Sequence, residues 1–388
     1  MHGDPLHTRS AATHVSAGGE GIKHKEADLM PHKMRGGILF LLLFAAIGAV
    51  GSAEQAWEKV SLCSPGVPFT FCEIAEGNWS LVRFDEEWSR LSLMSRWGID
   101  IVAMDSGEMV LSLEPPSPWM TFTGIPAFSP DGGSIACPVT GGPVWTWDVE
   151  TGETMGAYDV GSRGTCVAFS HDGTLLATQG APGEATVWST ETGELLLSLS
   201  ELTPYGSLCV LGFDVEDTLL FVLGSGESGA NATGVWDLTV KSLVRVFPGT
   251  AGSMSDGTIY ALEPGMASGG PLTYVTLWDD VLGAHSRTFL ASGRMFAAAF
   301  SRDGRYMALA LAGGIVSFWD LSTQREVYRL DVLKIISQDD GEAFDEATIL
   351  VISISPDGSV LGTGTWTSGP SRAYVHLWNV SELLEESS

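Results

Sequence analysis

Lysine is scarce in this chain: beyond residue 53 only Lys59, Lys241 and Lys334 occur. Across all 388 residues, 20 basic side chains face 47 acidic ones, a formal net charge of −27 at pH 7. A surface this acidic repels phosphate, so nucleic acid and anionic lipid are poor partners. It serves solubility or salt tolerance, and it attracts basic partners or divalent cations. Histidine is thin where catalysis would want it. Five of the eight lie in residues 1–35, leaving His171, His285 and His376. His171 reads as a turn residue and His376 as a packed strand residue. No Ser-centred elbow, phosphate-cradling glycine loop or paired catalytic carboxylate stands out, and catalysis needs convergent groups. No C-x-x-C spacing exists, so the usual zinc pattern is missing. The expectation is a protein that is not an enzyme, with no cofactor and no metal.

Long apolar runs are also rare. The one that stands out, Ile38 to Val50, follows Met34-Arg35 and precedes Gly51-Ser52-Ala53. A basic start, an apolar centre and a small-residue end describe an export signal. As a helix the run spans about 20 Å at ~1.5 Å per residue, short of a ~30 Å hydrocarbon core. Counting residues 36–53 lengthens it to about 27 Å. Residues 36–53 are therefore read as a signal peptide, with a membrane anchor as the alternative. Residues 1–35 read as a disordered polar tail or an upstream extension. The protein is expected outside the cytoplasm, secreted or periplasmic after cleavage, or anchored and facing outward. Without residues 1–53, which hold four acids and five bases, the charge becomes −28.

An exported chain permits disulfides. Of Cys63, Cys72, Cys137, Cys166 and Cys209, the first two are the only pair close in sequence. The other three read as buried apolar fillers, and the odd count leaves at least one thiol unpaired.

The strongest signal is a repeat. Ser129-Pro-Asp-Gly132, Ser170-His-Asp-Gly173, Ser301-Arg-Asp-Gly304 and Ser355-Pro-Asp-Gly358 each separate two short apolar runs. Asp bonds its own backbone and Gly accepts positive φ, which a tight hairpin requires. Asp131, Asp172, Asp303 and Asp357 mark these turns; Ser255-Asp-Gly257 repeats the device, and Asp85 to Glu87 and Val215 to Asp217 are degraded copies. Downstream, a third run ends in Trp plus a polar residue at Trp147, Trp188, Trp236, Trp278, Trp319 and Trp378. The spacings are 41, 48, 42, 41 and 59 residues. Turns such as Thr151-Gly152-Glu153 lead to a fourth run. Four strands per 40–45 residues is the blade pattern of a propeller.

In these residues the chain resembles the WD-repeat β-propeller family, as a bacterial, exported member, over residues 67–380. The resemblance implies an all-β fold of seven four-stranded antiparallel blades, with eight or six as lesser options. The first blade has Met104-Asp105 in place of Trp-Asp. The last lacks an outer strand, which Val67 to Ile74 can supply, closing the ring so that no sheet edge is left open. Residues 54–66 read as a linker and 381–388 as an acidic tail. Blades 1 and 5 are expected to be the softest, the latter for its weak first strand near Ala251 to Met254. The chain departs from the family in lacking a Gly-His pair before any blade. The hydrogen-bonded network of Gly-His, Asp and Ser or Thr with the Trp is therefore expected to be absent.

Insertions are expected as loops on one face, the top, where strands two and three join and where one blade leads to the next. These are Gly224 to Gly234, Glu263 to Tyr274, Trp366 to Ala373, Lys334 to Thr348 and Glu114 to Pro126. Loops on a rigid scaffold are where binding concentrates. The candidate binding residues are Trp119, Phe122, Tyr274, Asp339, Asp340, Glu342, Asp345, Glu346 and Trp366. The acidic run Gln338 to Glu346 is oxygen-rich but does not match a calcium loop. The expected function is an extracytoplasmic scaffold binding a protein or peptide partner through its top loops, as a monomeric propeller. The alternatives are a propeller-type hydrolase, a binder of small molecules or cations using carboxylates near the central channel, and a structural envelope component.

Overall fold

Alternating apolar and small residues between Asp-Gly turns give short antiparallel strands, and these assemble into seven sheets. The computed structural model describes residues 57–60, 71–77, 81–161, 166–180, 183–200, 207–225, 231–283, 286–335, 346–368 and 372–381. The chain divides into two units, 1–38 and 39–388, and every described residue belongs to the second. The export segment and Cys63 lie outside the described residues.

Blade 1 contains Leu81–Phe84, Arg90–Met94, Ile99–Ala103 and Met109–Leu113. Blades 2 to 6 repeat that order up to Arg325–Asp331. Blade 7 takes Glu346–Ile354, Val360–Ser368 and Arg372–Asn379 from the C-terminal end of the chain. Its fourth strand is Phe71–Gly77, antiparallel to Arg372–Asn379 with Phe71 opposite Trp378. First strands of neighbouring blades touch from blade 1 through blade 5, between blades 6 and 7, and between blades 7 and 1. The result is a seven-bladed β-propeller closed by its N-terminal strand. The structure adds a fifth strand to blade 7: Trp57–Val60 pairs outside Phe71–Gly77, within the stretch read as a linker.

The Asp-Gly turns share one hydrogen-bond pattern. The hydroxyls of Ser129, Ser170, Ser301 and Ser355 donate to Asp131, Asp172, Asp303 and Asp357 at 2.6–2.8 Å. Each Ser Oγ also accepts the N–H of the first residue of the next strand, as from Leu175 at 2.9 Å. In blades 1 and 4 the Ser is replaced by Asp85 and Asp214, whose carboxylates accept the same N–H, from Arg90 and Leu219. The glycine's left-handed backbone persists there without glycine, at Trp88 (φ 56°) and Asp217 (φ 57°). Trp88 also stacks on Phe84 at 4.3 Å, giving blade 1 an aromatic pair where it lacks the repeat Trp. Gly362 of blade 7 makes room for them, since a Cβ there would meet the Phe84 ring at 2.8 Å.

The repeat Trp side chains are core. Trp147, Trp188, Trp236, Trp319 and Trp378 are buried, and Trp278 is half-buried against Phe247. The expected loss of the Trp network is only partial. Trp188 and Trp319 donate to hydroxyls two residues back, Thr186 Oγ1 at 2.9 Å and Ser317 Oγ at 2.6 Å, and Trp378 donates to Thr363 Oγ1 at 2.9 Å. A hydroxyl within the blade thus takes the indole N–H without any Gly-His pair. Blade 5 begins on the four-residue strand Thr250–Ser253, and the shortest first strand, Ala127–Phe128, belongs to blade 2.

The cysteine reading needs correction. Cys166 and Cys209 form a disulfide, with Cα atoms 5.3 Å apart. They occupy equivalent places on adjacent blades, at the start of the first strand, so the repeat itself brings them together. Cys137 is buried and unpaired, as expected of a filler.

Candidate functional site

Two of the expected top loops are strand instead. Glu263 to Tyr274 belongs to a hairpin, Ile259–Ala267 paired with Gly270–Trp278 down to Ala267 opposite Gly270. Val360–Ser368 runs through Trp366, which pairs with Thr348 and Ala373 in backbone register. Similarly, strand continues to Ser225 and resumes at Asn231 in the Gly224 to Gly234 segment. These insertions lengthen the blades rather than loosening them. Glu346 starts the first strand of blade 7. Asp339, Asp340, Glu342 and Asp345 lie outside the described residues.

The segment between blades 1 and 2 separates its two aromatic candidates. Trp119 is 92 % exposed. Phe122 turns inward, buried against Trp147 with ring centroids 5.5 Å apart, so it is core and not a contact residue. The difference arises from the backbone. Phe122 N–H donates to Arg96 O at 3.1 Å, while Thr121 N–H donates to Thr140 Oγ1 at 2.9 Å. A turn closed by Met120 N–H to Ser117 O at 2.9 Å then holds Trp119 outward. The Arg96 carbonyl belongs to the neighbouring turn, which carries Trp97, 57 % exposed. That turn is fixed by Ser95 Oγ, which accepts from the N–H groups of Trp97 and Gly98. Two exposed tryptophans therefore sit on two tethered turns of the same face. Trp97 went unnoticed in the sequence, although Arg96-Trp97-Gly98 in a tight turn is a signal for an exposed ring.

Elsewhere on that face Met266, at a hairpin end, is 79 % exposed, and Tyr274 is partly exposed beside Gly265. Bulges in the first strands of blades 4, 6 and 7 skip one residue each, and those residues, Leu211, Phe296 and Leu350, are exposed. A bulge re-aims a side chain out of the ladder.

A cavity of 570 Å³ occupies part of the central channel, lined by the first strands and following turns of blades 1 to 4 and by Ser255. Its charged or titratable lining residues are Arg83, Glu86 and His171. A single carboxylate does not supply the set that a cation site would need. Among the described residues no group of three or more His, Cys, Asp or Glu could hold a metal. His171 lies beside Asp217, which accepts the N–H groups of His171 and Asp172 at 2.7 and 2.9 Å. That carboxylate ties blade 4 to the blade 3 turn. The Trp-Asp carboxylates are turn caps: Asp148 accepts from Thr151 N–H and Oγ1, and Asp237 from Thr239 and Val240. These bonds hold both carboxyls below the usual range, led by the Thr151 N–H for Asp148 and the Thr239 hydroxyl for Asp237. Groups so held do not serve as general acids near neutrality.

No family model matches the sequence, and no curated protein does. Among solved structures, the chain is similar to the Kuenenia stuttgartiensis hydrazine synthase. The TM-score is 0.56 at 13 % identity, over 73 % of this chain and 91 % of that one. The likeness is one of fold. It says nothing of shared chemistry.

Proposed function

We propose that this propeller is a non-catalytic scaffold of the WD-repeat type, placed outside the cytoplasm, whose top face binds a protein or peptide partner. The observation that carries the reading is the Trp97–Trp119 pair. Two tryptophan rings are held in water by tethered backbone, at a cost in apolar exposure that a partner would remove. Aromatic anchors of this kind dominate protein interfaces. Rigid turns also lower the ordering entropy lost on binding. The net charge favours a partner of opposite sign and speeds its approach at low salt. Trp119 and Trp97 are the anchors, Tyr274 and Met266 extend the surface, and Phe122 supports the Trp119 turn from below.

Affinity capture from the native envelope tests this, with wild-type protein and a Trp97→Ala/Trp119→Ala variant. Both rings are exposed, so the variant keeps its melting temperature and loses the captured partner. Equal capture by both proteins overturns the reading, as does a partner cross-linked to the opposite face.

A further inference from the structure

The first strands of the seven blades can be aligned by their pairing. At the second position before the turn, the ring reads Arg83, Ala127, Ala168, Gly212, Gly252, Ala299 and Ser353. Their cross-strand partners are Ser92, Ala136, Ala177, Phe221, Tyr260, Ala308 and Gly362. Six blades place a small residue there, and blade 1 alone places a long cation. Arg83 lines the channel. Its carbonyl accepts a bond from Ser92 Oγ at 3.4 Å, but its guanidinium has neither an ion pair nor a hydrogen bond. Glu86 shares the channel lining without pairing to it. Burial pushes the guanidinium pKa down, with no opposing carboxylate. Arginine stays charged even so.

Arg83 is partly buried, and with no counter-ion its guanidinium donors are free to take an anion that enters the channel. We propose that the channel is a binding site for a small monocarboxylic acid with an apolar body, its carboxylate paired with Arg83. The planar guanidinium fork matches a carboxylate in two parallel bonds. Ile125, Phe169 and Leu211, which are only partly buried, give an otherwise polar wall one apolar patch for the body of the acid. The hydroxyls of Ser129 and Ser170 are already committed to Asp131 and Asp172. A phosphate dianion would find one cation, a nearby Glu86 and a protein of net charge −27, so a monoanion is favoured. The volume, 570 Å³, falls in the range of small-molecule pockets, about 300–1,000 Å³.

Calorimetric titration of the whole protein with benzoate, hexanoate and inorganic phosphate tests this site. Wild type binds one or both acids saturably at one per chain and does not bind phosphate. Arg83→Met weakens the acids at least tenfold, and Arg83→Lys, a point charge without the fork, gives an intermediate loss. Because the guanidinium has no partner to lose, Arg83→Met melts no lower than wild type, which a purely structural Arg83 would not allow. The proposal is overturned if neither acid binds wild type, or if Arg83→Met or, should that variant not fold, Arg83→Lys binds them equally. Phosphate binding as tight as the acids also overturns it. Capture through Trp97 and Trp119 is a separate readout, so failure of either reading leaves the other intact.

Discussion

Cys166 and Cys209 are 43 residues apart and join the first strands of blades 3 and 4. Breaking this bond by reduction, or by a Cys166→Ser/Cys209→Ser variant, restores the conformational freedom of a loop of that length to the unfolded chain. The loop-closure relation gives an entropy near 13 cal/mol/K, or about 4 kcal/mol at 25 °C. Spread over the roughly 300 residues of the propeller, at ~2.1 cal/mol/K per residue, the loss lowers the melting temperature by about 6 °C. Both residues line the channel, so a small thiol reductant has a route to the bond. The assay is calorimetric melting with and without reductant, with mass spectrometry to verify the state of the two sulfurs. An unchanged melt with both thiols verified as reduced would refute the reasoning.

Lys241 and Gln324 hold φ of 56° in turns where blades 2 and 3 use Gly152 and Gly193. A left-handed Cβ costs about 1–2 kcal/mol, and glycine's extra unfolded entropy returns about 0.5–1 kcal/mol. Lys241→Gly and Gln324→Gly should therefore each raise stability by about 0.5–1 kcal/mol in urea unfolding, and Gly152→Ala should lower it. Stability should also depend on acid. Asp131, Asp303 and Asp357 are held below the usual carboxylate range chiefly by Ser129, Ser301 and Ser355, and Asp172 chiefly by the Thr174 N–H. Their contribution is complete above the unfolded value near 3.9 and is lost as pH falls through the folded values. Asp100, raised by burial, works in the opposite direction. The urea midpoint should fall from pH 5 to pH 3, and an equal midpoint at both would count against the turn bonds.

The elements legible in the sequence were those whose local chemistry repeats. Ser-x-Asp-Gly marks the turn between first and second strands at Ser129, Ser170, Ser301 and Ser355, and Trp-Asp marks the end of the third strand at Trp147, Trp236 and Trp319. The long hairpin of blade 5 replaces the loop expected at Glu263 to Tyr274 and carries Pro264 and Pro271 within its strands. Pro264 lies beyond the end of Thr250–Ser253, where the sheet has a free edge, and a proline there removes no ladder bond. The Cys166–Cys209 bond was hidden by sequence distance, yet 43 residues is one repeat, and comparing phase between blades would have found it. The same comparison isolates Arg83 among small residues. Phe122 and Trp119 are three residues apart with opposite fates, decided by backbone bonds to Arg96 and Thr140 that no local pattern encodes.

Closure of the ring by Phe71–Gly77 is the claim on which the rest stands, because the channel and the top face exist only in a closed propeller. Its most direct measurement is the melting temperature and proteolytic sensitivity of a chain lacking residues 57–77, against the chain that retains them. Without that segment Arg372–Asn379 loses its outer partner, so a lower melt and early cleavage within blade 7 are expected. An identical melt with blade 7 still protected would contradict the account.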